Sequence, residues 1–209
     1  MAAMAAEAKK DLEDMEDSTL LLAHQSGSEH ALRVLIERYR NEIFGYLYRY
    51  TGNATLAEDA FQETFVQVHL AGHTFDPTRP FRPWLYAIAT NKARDLHRRS
   101  KKHKMPSLDA PIGEDGDTSP AALIGDGGPS VESHLQRAEL AGLVRDTVHT
   151  LPPLHREVLL LGYFQRMSYQ QIADVLEIPL GTVKSRLHAA VARFSEIWMR
   201  TNSHNDLES

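Results

Sequence analysis

The stretch SYQQIADVLEIPLGTVKSRLHAAVARF, Ser168 to Phe194, decides how this chain is read. Ser168 followed by Gln171 has the form of a capping box, in which a hydroxyl and an amide each satisfy a backbone N–H at a helix start. The spacing predicts a helix from Tyr169 to Leu176, a turn at Glu177, Ile178 and Pro179, and a second helix from about Gly181. Helix, short turn, helix is the spacing of a helix-turn-helix. In the second helix Val183, Leu187, Ala190, Val191, Phe194 and Trp198 recur at helical spacing and commit one side to a core. At 100° per residue, Ser185 and Ala189 lie opposite that stripe, with Thr182, Arg186 and Arg193 on one flank and Lys184 and His188 on the other. Small residues permit close approach to a major groove, and the cations reach guanine edges or phosphates. Thr182, Lys184, Ser185, Arg186, His188 and Arg193 are therefore candidate DNA-reading residues. The bland alternative is a solvated helix face that carries a few cations.

Working backwards, Pro152 and Pro153 break a helix from Val131 to Thr150 and start another from Leu154 to Tyr163. Upstream of these, residues 105–130 are rich in Gly, Pro and acids and have no apolar period, so they read as a flexible acidic linker between two domains. Before the linker, a helix from about Ser18 to Gln25 stops at Gly27, and Ser28 caps a second with an apolar stripe from Leu32 to Leu47. After Gly52 and Asn53 a third helix buries Ala57, Ala60, Phe61, Thr64, Phe65 and Val68. His73 to Pro80 is a loop, because its two prolines cannot continue a helix, and a fourth helix runs from about Phe81. The expectation is an all-α protein without strand-period alternation. Its parts are an acidic tail (1–17), a helical bundle (18–104), the linker (105–130), a helix-turn-helix domain (131–200) and a short tail (201–209).

The net charge of -5 looks wrong for a nucleic-acid binder until it is resolved along the chain. Residues 79–104 hold nine Lys or Arg against one acid, whereas residues 105–135 hold six acids and no Lys or Arg. On the basic helix, Leu85, Ile88, Ala89 and Leu96 form the core side, while Asn91, Arg94 and Arg98 form a polar row suited to phosphates or unstacked bases. The adjoining loop contributes Phe75, Asp76, Thr78, Arg79 and Arg82, a set of aromatic, acceptor and guanidinium groups of the kind that holds an extruded base. Phe75, Phe81 and Trp84 have a simpler role open to them as core residues. The third helix has the opposite electrostatics. Asp59, Gln62, Glu63 and Val66, with Leu70, form an acidic face carrying exposed aliphatics, which suits a partner helix with basic residues or, more simply, solvent.

AEDAFQETFVQV (Ala57 to Val68) and FRPWLYAIATNKARDLHRR (Phe81 to Arg99) resemble region 2 of the extracytoplasmic-function (ECF) sigma factors, small members of the sigma-70 family. The stretch from Leu151 to Phe194 resembles their region 4. The resemblance implies a transcription initiation factor that directs core RNA polymerase to specific promoters. It implies that Asp59, Gln62, Glu63 and Val66 meet the β′ clamp helices and that region 4 docks on the β flap. Phe75, Asp76, Thr78, Arg79, Arg82, Asn91, Arg94 and Arg98 would then serve the minus-10 element. The candidate DNA-reading residues of the last helix would serve the minus-35 element. An anti-sigma factor and a place in stress response are expected on the same basis, and the linker resembles the segment that threads the polymerase channel. Thr90 and Glu177 depart from the family pattern, the first at a position often basic and the second where many helix-turn-helix units have glycine.

No stretch approaches the roughly 18 apolar residues of a membrane span, so the expected location is the cytoplasm without membrane insertion. With no cysteine and no ligand, phosphate-loop or nucleophile motif, neither metal, cofactor nor enzymatic activity is expected. The main rival is a conventional helix-turn-helix regulator whose N-terminal bundle binds an effector or dimerises.

Overall fold

A computed structural model describes residues 12–103 and 131–205, and the expected linker lies outside the described residues, as do residues 1–11 and 206–209 of the tails. Among the described residues there is no strand. The first group of helices is α1 (Asp17–Gln25), α2 (Glu29–Thr51), α3 (Ala54–Ala71), a 3-10 turn (Gly72–Thr74) and α4 (Phe81–His103). The second is α5 (Val131–Thr150), α6 (Pro153–Leu159), a π-turn (Leu160–Phe164), α7 (Tyr169–Leu176) and α8 (Leu180–Asn205).

Local chemistry sets the helix ends. Ser28 Oγ accepts the Ala31 N–H at 3.3 Å, and Asn53 Oδ1 accepts that of Leu56 at 2.8 Å. Gly52 closes α2 with φ 71°, a left-handed conformation that costs glycine little. Both bonds of the expected capping box are present, from Gln171 N to Ser168 Oγ at 3.2 Å and from Ser168 N to Gln171 Oε1 at 2.9 Å. Glu177 occupies the turn of the helix-turn-helix with φ 55°, so a glycine-type conformation is held by a glutamate. The α-helix that begins after Pro152 is shorter than the sequence suggests. It ends at Leu159, and Gln165 N donates to Leu160 O at 3.1 Å across a π-turn. The final helix runs to Asn205, past the expected domain end at residue 200.

In the first group Leu20, Leu21, Leu35, Ile43, Leu47 and Leu85 are fully buried, each worth about 2 kcal/mol by transfer from water. Three tyrosines sit among them. Tyr46 Oη and Thr90 Oγ1 are 2.7 Å apart, and Thr90 Oγ1 donates to Tyr86 O at the same distance. Thr90 thus satisfies a buried phenol. Burial raises the pKa of Tyr46 and Tyr86 and pushes that of Tyr50 up to about 12.

The two groups pack against each other, α7 lying on α4 and α5 on α2. Arg156 fastens this junction. It is 6% exposed and donates to the carbonyls of Tyr50 at 2.6 Å, His149 at 2.5 Å and Leu151 at 3.1 Å. The His149 ring lies against Gly52, so close that a Cβ there would sit 2.7 Å from His149 Cε1.

Candidate nucleic-acid interface

The loop before α4 is built around Asp76. Its Oδ1 accepts the Thr78 N–H at 2.9 Å and the Thr78 hydroxyl at 2.6 Å, and Arg79 Nε stands 3.7 Å from Oδ2. These bonds hold its carboxyl below the usual range, Thr78 contributing most and Arg79 adding its charge. Thr78 and Arg79 are exposed, and the Arg79 guanidinium presents donors to solvent. Phe75 is 6% exposed and packs against Phe81 and Trp84, so its ring anchors the loop from below in this conformation.

On α4, Asn91 and Arg98 are exposed, Arg98 pairing with Asp95 at 2.9 Å. Arg94 lies between them and is engaged elsewhere. Its Nε and Nη2 donate to Glu157 Oε2 and Oε1 at 2.9 and 2.8 Å, and its Nη1 donates to Asn91 Oδ1 at 3.2 Å. Burial opposes the charge of Arg94, but the hydrogen bond and charge of Glu157 prevail and raise its pKa. Arg82 is held by Glu42, with Nε to Oε1 at 2.8 Å, and donates from Nη1 to Gln165 O at 3.0 Å and from Nη2 to Gln165 Oε1 at 3.2 Å. Tyr86 Oη donates to the same Gln165 Oε1 at 2.6 Å.

The α3 face is open. Asp59 and Gln62 are exposed, as are Val66 (58%) and Leu70 (61%). Glu63 has Lys92 Nζ at 3.7 Å and Arg99 Nη1 at 3.6 Å, pairs loose enough to exchange for a partner's cations. On α8, Lys184, Ser185 and His188 are exposed and Thr182 is half-buried at the first turn. Val183, Leu187 and Ala190 are buried beneath them. Arg193 is exposed and pairs with Glu196 at 2.9 Å. Arg186 turns inward, with Nη1 3.8 Å from the buried Glu157 Oε1.

Four residues of this constellation, Glu42, Tyr86, Glu157 and Gln165, escaped the sequence reading. The available signal was local, a carboxylate immediately before the apolar run Val158 to Leu161 and another beside Ile43. Among the described residues no group of three or more His, Asp or Glu is placed to hold a metal, and no helix is long and apolar enough to cross a membrane.

A loop of exposed donors and a polar row on one helical unit, with a capped helix-turn-helix on the other, define a two-module helical nucleic-acid adaptor. Comparison with known proteins makes this particular. The family description "Sigma-70 region 2" matches residues 35–103 and "Sigma-70, region 4" matches residues 141–194. The ECF RNA polymerase sigma factor SigW of Bacillus subtilis is 34% identical, over 78% of this chain and 87% of that protein. RNA polymerase sigma-H factor of Pseudomonas aeruginosa is 31% identical, over 84% and 90% respectively. Among solved structures, CnrH in complex with the cytosolic domain of CnrY aligns with a TM-score of 0.62 and 28% identity, over 87% of this chain and 96% of that one. RpoE of Bartonella quintana, solved with the anti-sigma factor NepR, has the same TM-score at 19% identity, over 80% and 96%, a likeness of fold. The chain belongs to the ECF group of the sigma-70 family of RNA polymerase sigma factors, proteins that initiate transcription at specific promoters.

Proposed function

We propose that this chain acts in the cytoplasm as a non-enzymatic specificity subunit of RNA polymerase, with its two family regions performing separate tasks. The observation that carries the reading is the placement of the two matched regions on two helical units, each with its own solvent-facing functional surface. The α3 face, Asp59, Gln62, Glu63 and Val66, meets the β′ clamp helices. Its exposed carboxylates offer pairing to basic residues, and its aliphatics gain by leaving water. The Asp76, Thr78 and Arg79 loop, with Phe75 beneath it, and the Arg82, Asn91, Arg94 and Arg98 series of α4 engage the opened minus-10 strand. Region 4 docks on the β flap and sets the N-terminal half of α8 in the minus-35 major groove. Thr182, Lys184, Ser185 and His188 reach the DNA there, Arg193 lies further along, and Arg186 is braced by Glu157. The linker, residues 105–130, occupies the polymerase channel, where its acids suit a basic lining.

An anti-sigma factor is the expected inhibitor, as membership of the family implies, and the similar protein CnrH is solved in complex with a second protein, the cytosolic domain of CnrY. A role in stress response is expected from membership of the ECF group. Binding of the free chain to duplex DNA is expected to be weak, because its net charge is -5 and polymerase supplies the tethering that raises effective concentration. Co-elution with purified core polymerase tests the α3 assignment. Glu63→Lys combined with Val66→Ser should weaken binding by about tenfold or more, since reversed charge and lost apolar contact act together. Binding unchanged by that double substitution would remove α3 from the interface. Tight sequence-specific binding of the free chain to duplex DNA, with no affinity for core polymerase, would favour a conventional regulator.

A further inference from the structure

We infer that His24 and His69 form a two-imidazole site for a divalent transition-metal ion of the zinc, nickel or copper type, one that ties α1 to the end of α3. His24 Nε2 and His69 Nδ1 stand 2.9 Å apart, although the two residues are 45 positions apart in sequence.

The pair is aimed by backbone from three elements. His24 Nδ1 lies 3.2 Å from the carbonyl oxygen of Ser28, the residue that caps α2. A carbonyl only accepts, so Nδ1 carries the proton and, in the neutral ring, Nε2 is a bare lone pair turned toward His69. Donation of the second ring N–H to a backbone carbonyl is the support that metal-ligating histidines ordinarily have. Beside it, Gln25 Nε2 donates to Gly72 O and fastens the end of α1 to the turn that follows α3. Gly72 lets the two segments approach, since a Cβ there would lie 3.3 Å from Gln25 Nε2 and 3.4 Å from Leu21 Cδ1. The backbones on either side of the pair are thus held together, while His24 is half-buried and His69 exposed.

Two nitrogens bound about 2.0–2.1 Å from one ion are separated by about 2.9 Å at a right angle and by about 3.4 Å at the tetrahedral angle. The observed spacing matches the first, and an opening of about 0.5 Å gives the second. The ring planes are inclined by 47° with centres 5.1 Å apart, so both rings tilt outward to turn their lone pairs onto the ion, a rotation open to side chains that reach solvent. As the ion enters, His69 loses its Nδ1 proton and gains one at Nε2 through water, so the ion replaces the shared hydrogen with no net release of protons. The donor set selects the metal. Imidazole suits zinc, nickel and copper. The chain has no cysteine to favour softer ions, and among the described residues no carboxylate joins the pair to favour calcium or magnesium. His73, four residues after His69, donates from Nδ1 to Leu70 O at 3.1 Å and does not complete a three-ligand group. Water completes the coordination.

The test uses the full-length chain with Cu2+ as the probe, added below one equivalent so that the tightest site fills first. Pulsed electron resonance distinguishes one coordinated imidazole from two, and a competition titration gives the affinity. The parent should show two imidazoles. His24→Gln and His69→Gln should each leave one and weaken binding by about tenfold or more, because the second ring no longer acts at high local concentration. Circular dichroism melts without metal establish that each variant folds, and the two positions serve as independent tests of the same ion. His73→Gln should keep both imidazoles and the parent's affinity, which separates a bridge between helices from a chelate formed within the HLAGH segment, His69 to His73. A single imidazole in the parent, or binding unchanged by His24→Gln, would overturn the site. Loss of the second imidazole with His73→Gln and not with His24→Gln would overturn it as well, by placing the ion on the HLAGH segment alone.

Discussion

Arg156→Met should destabilise the protein more than any surface change, because buried Arg156 donates from α6 to carbonyls at the end of α2 and at the turn from α5 to α6. The guanidinium is buried and donates to the carbonyls of Tyr50, at the end of α2, and of His149 and Leu151, at the turn from α5 to α6. Methionine preserves much of the volume and leaves those carbonyls short of a donor. Hydrogen bonds from a charged donor contribute about 1.5–3 kcal/mol each. Their sum is reduced by the cost of burying the guanidinium, a cost visible in the lowered pKa of Arg156. A net loss of about 3 kcal/mol remains, and for a chain of this size that lowers Tm by about 6–12 °C. Thermal melts followed by circular dichroism and calorimetry measure it directly. A fall of less than about 2 °C would refute the view that Arg156 fastens the junction.

Three further outcomes follow from the same contacts. Gly52→Ala places a Cβ in a left-handed conformation and against the His149 ring, so it should cost about 1–2 kcal/mol in a denaturant titration, where an unchanged midpoint would contradict the packing. Burial, aided by Arg156 and Arg145, lowers the His149 pKa to about 4 from an ordinary 6.5. The unfolded chain therefore takes up this proton first as pH falls. The contribution of neutral His149 is present above pH 6.5 and is lost progressively between 6.5 and about 4, where His149→Gln should flatten the pH dependence of Tm. Ser168→Ala breaks the capping box and should cost about 1 kcal/mol, reducing amide protection at the start of α7 in hydrogen exchange.

The helix boundaries that were legible in the sequence are those fixed by one or two neighbouring residues. Ser28, Asn53, the Gly52 end of α2 and the Ser168–Gln171 box each act within four positions, so the pattern carries its own cause. The π-turn at Leu160–Phe164 was not legible, since the apolar run from Val158 continues through it and the extra residue per turn serves contacts made elsewhere. The end of α8 was missed because α8 extends past its core stripe, where no capping signal marks the earlier stop. At the site, the row of Asn91, Arg94 and Arg98 followed from helical spacing. Its state did not, because Arg94 meets Glu157 and Arg82 meets Gln165 across 63 and 83 residues, distances over which periodicity is silent. Thr90 shows the same limit: it looks anomalous at a position often basic in the family until Tyr46 is seen against it.

The most direct test of the account is run-off transcription on a pool of genomic promoters, with purified core polymerase in the presence and absence of this chain. New transcripts should arise from promoters sharing two spaced elements, and they should be lost with Glu63→Lys combined with Val66→Ser. Core polymerase that neither binds the chain nor gains a start site from it would contradict the central claim.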